Sequence, residues 1–315
     1  MKKYYIGIDL GGTFIKGGIV DSDGNLIKVN KTPTEVDLGV LKICENIAKL
    51  SLSLVKEAGI DKSDIVALGM GAPGMIDSDK GIIICSENLY FENFPIAEKI
   101  EELTGFKVKV ANDANVATLG EVKFGAAKDK DNAIMLTLGT GVGGGMVCNG
   151  RLVEGNMGAG AELGHMVIAI NGEPCSCGRR GCAEAYASAT ALIRETKKAM
   201  TAHKDSKMWE IGSTDKVDGK TAFDFANIDP YAKEVVDSYI YALGTIIVNF
   251  ANVFRPEAVI LGGGVCAQGK SLTDPLQEIL DKEIYGGDLG PGVPVVVATL
   301  GNSAGVLGAA ALVIE

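Results

Sequence analysis

Residues 134–150, Ile-Met-Leu-Thr-Leu-Gly-Thr-Gly-Val-Gly-Gly-Gly-Met-Val-Cys-Asn-Gly, repeat a plan laid down near the N-terminus. There Tyr4-Tyr5-Ile6-Gly7-Ile8-Asp9 runs into Leu10-Gly11-Gly12-Thr13 and a second apolar run over 14–20. Each copy reads as a strand, a glycine-threonine turn, a second strand and a hairpin signal, Asp23-Gly24 in one and Asn149-Gly150 in the other. Asp-Gly suits the positive φ angles of a two-residue hairpin, so a third strand over 26–31 should complete an antiparallel meander. A two-glycine turn alone is most simply an ordinary hairpin. Its repetition predicts two similar lobes facing each other, each offering a glycine turn to one ligand. At Gly11 and Gly12 bare N–H groups would let phosphate oxygens approach, with Thr13 adding a hydroxyl.

Outward from the repeats, strands alternate with helices, the pattern of an α/β fold. Helical spacing of Leu41, Ile47, Leu50, Leu54 and Val55 predicts a helix over 36–58 with Gly59 as its cap. A buried strand over 64–71 ends in Gly71-Ala72-Pro73-Gly74, exposed amides at a carboxyl end where ligands commonly bind. A short strand over 82–85 leads into Ser86-Glu87-Asn88-Leu89, and a helix from Pro95 to about Leu103 precedes Gly105. Later come a helix over 185–200, a polar excursion over 201–220 with His203 and Trp209, and a helix over 231–254 stopped by Arg255-Pro256. A buried strand over 258–261 ends in Gly262-Gly263-Gly264, whose bare backbone suits a flat or charged ligand. A strand over 293–298 and a small-residue helix over 302–313, able to pack at a lobe junction, complete the chain.

The strand over 107–111 delivers Asn112-Asp113-Ala114-Asn115 directly before a helix carrying Val116, Leu119 and Val122. An Asp at such a junction is most commonly an N-cap. Two Asn and an Asp in four residues exceed what capping requires. Asp113 is therefore read as a general base, flanked by Asn112 and Asn115, whose amides could orient a polyhydroxyl ligand.

Between Glu162 and Glu184 lie His165, Cys175, Cys177 and Cys182. Three thiolates and an imidazole match a closed tetrahedral zinc site, and Gly178 and Gly181 permit its tight turns. A disulfide or three inert thiols are the alternatives. A filled Cys3His set leaves no open position, so such a metal would fix the loop and leave chemistry to Glu162 and Glu184.

A net charge of −10, with basic residues scattered, leaves no polybasic face for nucleic acid. No early apolar run reads as a signal peptide, and the apolar stretch over 304–314 is too short to span a bilayer. The expectation is a cytoplasmic protein, with Cys44, Cys85, Cys148 and Cys266 as separate reduced core thiols.

Taken in order, Asp9-x-Gly11-Gly12-Thr13, Asn112-Asp113-x-Asn115, Gly139-Thr140-Gly141-x-Gly143, Glu162-x-Gly164-His165 and Cys175-x-Cys177-Gly178-x-x-Gly181-Cys182-x-Glu184 resemble the ROK family of sugar kinases, repressors and related proteins. The resemblance covers essentially the whole chain. It implies an actin-like ATPase fold, two ribonuclease-H-like lobes with mixed sheets around a cleft. Residues 1–115 and about 301–315 would form the smaller lobe, and 116–300 the larger one with its zinc loop over 165–182.

The resemblance also implies ATP-dependent phosphorylation of a hexose. Asp113 would take the proton from the attacking hydroxyl while the glycine turns and magnesium hold the phosphates. Asp9 would position magnesium, and Gly11, Gly12, Thr13, Thr140, Gly141, Gly263 and Gly264 would line the nucleotide site. Gly71, Asn88, Asn112, Glu162, His165 and Glu184 would serve the sugar. If His165 served both metal and sugar, metal loss would damage sugar binding as well as folding.

Glu162-Leu-Gly-His165 with Ala187-Ser188-Ala189-Thr190 looks most like the family's bacterial glucokinases, which makes glucose the expected hexose. Mannose, fructose and N-acetylated hexosamines are the alternatives, because Tyr90 and Phe91 stand where a tryptophan is common. The rival class is a sugar-sensing repressor, which carries an N-terminal DNA-binding domain and does not need Asp113; here the kinase pattern starts at residue 4. A folding or cytoskeletal ATPase of the same broad fold would need neither the sugar ligands nor the zinc loop. A homodimer is the expected assembly.

Overall fold

The computed structural model describes residues 2–314. Apolar side chains alternate through β1 (Tyr4–Leu10) and β2 (Phe14–Asp21), which pair antiparallel with Asp9 opposite Lys16. β3 (Leu26–Pro33) extends the meander. The β2–β3 turn departs from a two-residue hairpin in that Gly24, not Asp23, takes the positive φ. The Asp21 carboxylate makes the turn instead, accepting from the N–H groups of Asp23 and Asn25 at 3.0 and 2.9 Å.

Gly39, at φ 87°, delays the next helix, so α1 spans Val40–Ala58 with a single 3-10 turn before it. Ile43, Ile47, Leu50, Leu54 and Val55 are buried on its inner side. Leu41, expected among them, is exposed because, two residues before Ile43, it lies about 160° around the helix from that buried side chain. Gly59 closes the helix in the left-handed region.

β4 (Ile65–Ala72), β5 (Met75–Asp77), β6 (Ile82–Ser86) and β7 (Phe91–Phe94) follow, then α2 (Ile96–Thr104) and β8 (Val108–Asn112). Parallel pairing of β1 with β4 and β4 with β8 gives the sheet order β3-β2-β1-β4-β8. β5, β6 and β7 form a separate three-stranded sheet. β7 was not foreseen; its Phe91 is buried and tilted against Phe94, 5.4 Å between ring centroids.

α3 (Asp113–Phe124) leads to β9 (Ala133–Leu138), β10 (Val142–Cys148) and β11 (Arg151–Leu152). Asn149 and Gly150 both have positive φ in the β10–β11 turn, as Asn-Gly requires. Beyond the cysteine loop, the expected helix over 185–200 is broken. α4 (Glu184–Ala187) stops at Ser188, which turns extended and caps α5 (Ala189–Ala202) through its hydroxyl.

The excursion over 201–220 is not featureless. Met208 is buried with Met200, Val217 and Ala232, and His203 stacks on Tyr231. α6 (Thr221–Phe225) and α7 (Pro230–Phe254) follow, then β12 (Ala258–Gly262), α8 (Lys270–Glu283), β13 (Val295–Val297) and α9 (Ala304–Ala311). α6 and α8 went unread in the sequence, α8 because Pro275 interrupts its pattern.

The second large sheet runs β11-β10-β9-β12-β13, with β9, β12 and β13 parallel. Its order reproduces that of the first sheet, strand for strand. This duplicated mixed-sheet plan is the actin-like ATPase fold that the family resemblance implied, and the duplication itself is what the paired turns predicted.

The chain forms two compact units. One takes the chain up to Asp131, Gly145–Ala161 and the segment from Thr299 onward; the other takes Asn132–Gly144 and Glu162–Ala298. The expected boundary after 115 falls inside α3, which packs against α9 within the first unit. Small residues make that packing possible. A side chain at Gly7 or Gly69 would run into the Val306 or Ala309 carbonyl of α9, and one at Gly308 into the Val116 carbonyl of α3. No helix among the described residues is long and apolar enough to cross a membrane.

Buried Glu121 ties α3 to the start of the last segment. Its carboxylate accepts from the N–H groups of Ala126, Thr299 and Leu300 at 2.8, 3.1 and 2.8 Å, and from the Thr299 hydroxyl. Glu121→Ala would strand several buried donors, so denaturant unfolding should show a loss of about 2–4 kcal/mol. Glu121→Gln, which keeps an acceptor, should lose less. Equal losses in the two variants would mean that both carboxylate oxygens are needed and that one acceptor of the same shape cannot replace them.

Candidate active site

The first unit gathers its candidate residues at the carboxyl ends of three parallel strands. Asp9 of β1 pairs with Gly71 of β4, Gly71 with Ala111 of β8, and Ala72 with Asn112. Burial pushes the Asp9 carboxyl up, and the Lys16 ammonium, 3.9 Å from Oδ2, draws it back. Sequence reading passed over Lys16, although the hairpin register opposite Asp9 pointed to it.

In the adjoining turn, Gly11 N–H donates to the Phe14 carbonyl at 3.1 Å. The Gly11 carbonyl is held from behind by the Thr34 hydroxyl at 2.7 Å. Gly12 and Thr13 are exposed, with open space where a Gly12 side chain would be.

The 112–115 segment divides its work differently from the expectation. Asn112 is the N-cap of α3, its Oδ1 accepting from Ala114 and Asn115 N–H at 2.9 and 3.3 Å. Its Nδ2 donates to the Gly74 carbonyl at 3.1 Å. Asn112 is therefore largely committed to the backbone, and Asp113 is relieved of capping. The Asp113 Oδ1 accepts from Ala114 N–H at 2.9 Å, and the Asn112 side chain also hydrogen-bonds to Asp113.

Asp113 keeps solvent access, yet the protein crowding it raises its carboxyl pKa by desolvation, and the charge of Asp9 raises it further. Asn115 is buried, and its Oδ1 finds no hydrogen-bond partner among the described residues. Asn88 lies exposed in the single turn Glu87–Leu89, and Tyr90 beyond it is exposed with φ 56°.

The second unit holds two groups. At the carboxyl ends of β9 and β12, Thr140 and Gly141 lie in one turn, with Gly263 and Gly264 in the next. Gly263 has φ 95°, and a side chain there would meet the Leu138 carbonyl. The backbones at these two strand ends therefore approach closely.

The other group is the loop after Glu162. His165 Nδ1 lies 3.6 Å from Cys175 Sγ, and Cys177 Sγ lies 3.7 Å from Cys182 Sγ. One ligand atom from each of the four residues falls within 4.8 Å of the others. All three cysteines are free thiols. The donor set fits a thiophilic ion.

Cysteine spacing made this cluster legible, and positive φ at Gly178 and Gly181 lets the loop fold back on itself. Glu162 is exposed. Glu184 bridges the two groups, its Oε1 accepting from the Ser176 hydroxyl at 3.1 Å and its Oε2 from Val142 N–H at 3.1 Å.

The ROK family model matches residues 5–315. The glucokinase of Halalkalibacterium halodurans is 39% identical over 314 residues, spanning 99% of this chain and 95% of that one. The glucokinase of Thermotoga maritima is 39% identical over 313 residues, spanning 98% and 97%. Among solved structures, a ROK family glucokinase from Streptomyces griseus in complex with glucose and AMPPNP is 34% identical with a TM-score of 0.76, covering 98% of this chain and 99% of that chain. The motifs, the duplicated sheet and these full-length likenesses have one explanation: the chain belongs to the ROK family.

Proposed function

We propose that the chain is an ATP-dependent glucokinase, transferring the γ-phosphoryl group of ATP to the 6-hydroxyl of glucose. The observation that carries this reading is Asp113, placed at the start of α3 with its capping duty taken by Asn112. Full-length similarity to glucokinases supports glucose as the hexose. In this reading Asp113 accepts the hydroxyl proton as the sugar oxygen bonds to the γ-phosphorus, the bond from that phosphorus to the β–γ bridging oxygen breaks with ADP as leaving group, and Asp113 then returns the proton to solvent.

Glu162, His165, Glu184, Gly71, Asn88 and Asn112 serve the sugar. Gly11, Gly12, Thr13, Thr140, Gly141, Gly263 and Gly264 serve the nucleotide. Asp9 suits magnesium, which takes one or two carboxylates together with phosphate oxygens; bound there, it would neutralise phosphate charge. His165, Cys175, Cys177 and Cys182 suit zinc, which would fix the loop. A cytoplasmic homodimer fits the same reading, and the free thiols agree with a reducing compartment.

The test is ADP release from magnesium-ATP with glucose, mannose, fructose, N-acetylglucosamine, N-acetylmannosamine or no sugar. Glucose should give the highest kcat/KM. Dominance of another hexose would remove the glucokinase reading and leave a hexose kinase, whereas release indifferent to sugar would remove the kinase reading.

A further inference from the structure

The turn at 139–141 is held from behind by the segment that follows the cysteine loop. Ala189 N–H donates to the Gly139 carbonyl at 2.9 Å, and the Thr190 hydroxyl donates to the Thr140 carbonyl at 2.8 Å. Gly139 N–H closes the turn on the Gly141 carbonyl at 3.0 Å. All three carbonyls of the turn are thus engaged. The N–H groups of Thr140 and Gly141 make no comparable loop bond among the described residues.

Peptide planarity gives this arrangement a direction. The carbonyl of one residue and the N–H of the next belong to one plane and point to opposite sides of the chain. Anchoring the Gly139 carbonyl on Ala189 therefore turns Thr140 N–H outward, and anchoring the Thr140 carbonyl on Thr190 does the same for Gly141 N–H. Successive N–H groups turned outward form a concavity suited to an anion. Gly141 has no side chain to hold the second plane, and a side chain there would collide with Glu184. The bond from the Thr190 hydroxyl is what engages that plane directly.

We propose that Thr190 is a positioning residue for phosphoryl transfer, its hydroxyl locking the Thr140–Gly141 peptide with the Gly141 N–H presented to a nucleotide phosphate. The inference rests on the kinase reading and adds a residue that makes no contact with substrate. Ser188, the cap of α5, sets the register that brings Ala189 and Thr190 to the turn. Glu184 fixes the turn's far end through Val142 N–H.

The test compares Thr190→Val, which keeps shape and loses the donor, with Thr190→Ser, which keeps the donor. Calorimetric affinity for AMPPNP and the KM for ATP should weaken about five- to tenfold in Thr190→Val, the scale of one lost hydrogen bond. Thr190→Ser should stay within about twofold of the unmodified chain, and glucose affinity should change by less than about twofold in both. Equal nucleotide affinity in the two variants would overturn the proposal, as would a parallel loss of glucose affinity, which marks general loop damage. If the unmodified chain binds AMPPNP but shows no glucose-dependent turnover, the glucokinase reading fails, and the Val–Ser contrast still decides Thr190. Failure of the unmodified chain to bind AMPPNP would sink both.

Discussion

Asp113→Asn will bind glucose within about threefold of the unmodified protein while kcat falls by about a hundred- to ten-thousandfold, the range a positioned general base contributes. The substitution keeps the oxygen that accepts Ala114 N–H, and it leaves the α3 cap intact because the cap belongs to Asn112. What it removes is the acceptor of the hydroxyl proton. Single-turnover ADP formation beside calorimetric glucose binding separates the two quantities. Turnover within about tenfold of normal would end the base assignment.

The same residue sets a pH dependence. Desolvation by the surrounding protein and the neighbouring Asp9 charge raise the Asp113 carboxyl pKa, so activity should fall with acidity at a higher pH than an unperturbed aspartate would set. The sign for stability is the reverse. With its folded pKa raised, Asp113 contributes most to stability below its unfolded pKa, and that contribution is lost as pH rises through the folded one. At neutral pH the ionised group therefore disfavours the fold, and Asp113→Asn should melt no lower than the unmodified chain. The difference should vanish in acid. An active-site charge held against a stability cost is a common stability–activity trade-off.

The repeats at 4–20 and 134–150 made the two-sheet plan legible, because each carries its strand, turn and hairpin within one contiguous stretch. Strand order beyond the hairpins follows from pairings such as Asp9 with Gly71 and Val259 with Val295, which no local pattern encodes. Helix limits were misjudged where one residue changes the backbone: Gly39 delays α1, and Ser188 splits α4 from α5. Asp113 and the cysteine cluster were visible as residue types at close spacing. The division of labour between Asn112 and Asp113 was not, since either could have capped α3. Lys16 and Thr190 had no motif; each matters through a partner in another element, Asp9 for one and the Thr140 carbonyl for the other.

Cys177→Ser tests the metal loop with the least collateral damage, because Cys177 is exposed and its loss opens no cavity. We expect the unmodified chain to carry about one zinc by elemental analysis and the variant to retain much less, since replacing one thiolate by a hydroxyl weakens a closed Cys3His site. Cys182 makes the dependence steep. It is fully buried, and burial pushes its thiol up to about 12, so a bound cation would stabilise the thiolate that the site requires. Binding must then release protons, and zinc affinity should fall as pH is lowered.

Loss of the ion should cost about 3–5 kcal/mol locally and speed amide exchange across 165–190 by about a hundredfold or more, with α9 still protected. His165 and Glu184 lie within that span, and so do Ala189 and Thr190, which hold the 139–141 turn. Sugar and nucleotide affinities should therefore fall together on chelation and return together when zinc is restored. A chain that binds no zinc, or one whose glucose affinity survives its removal, would leave the cysteines without the structural role that their 4.8 Å cluster supports.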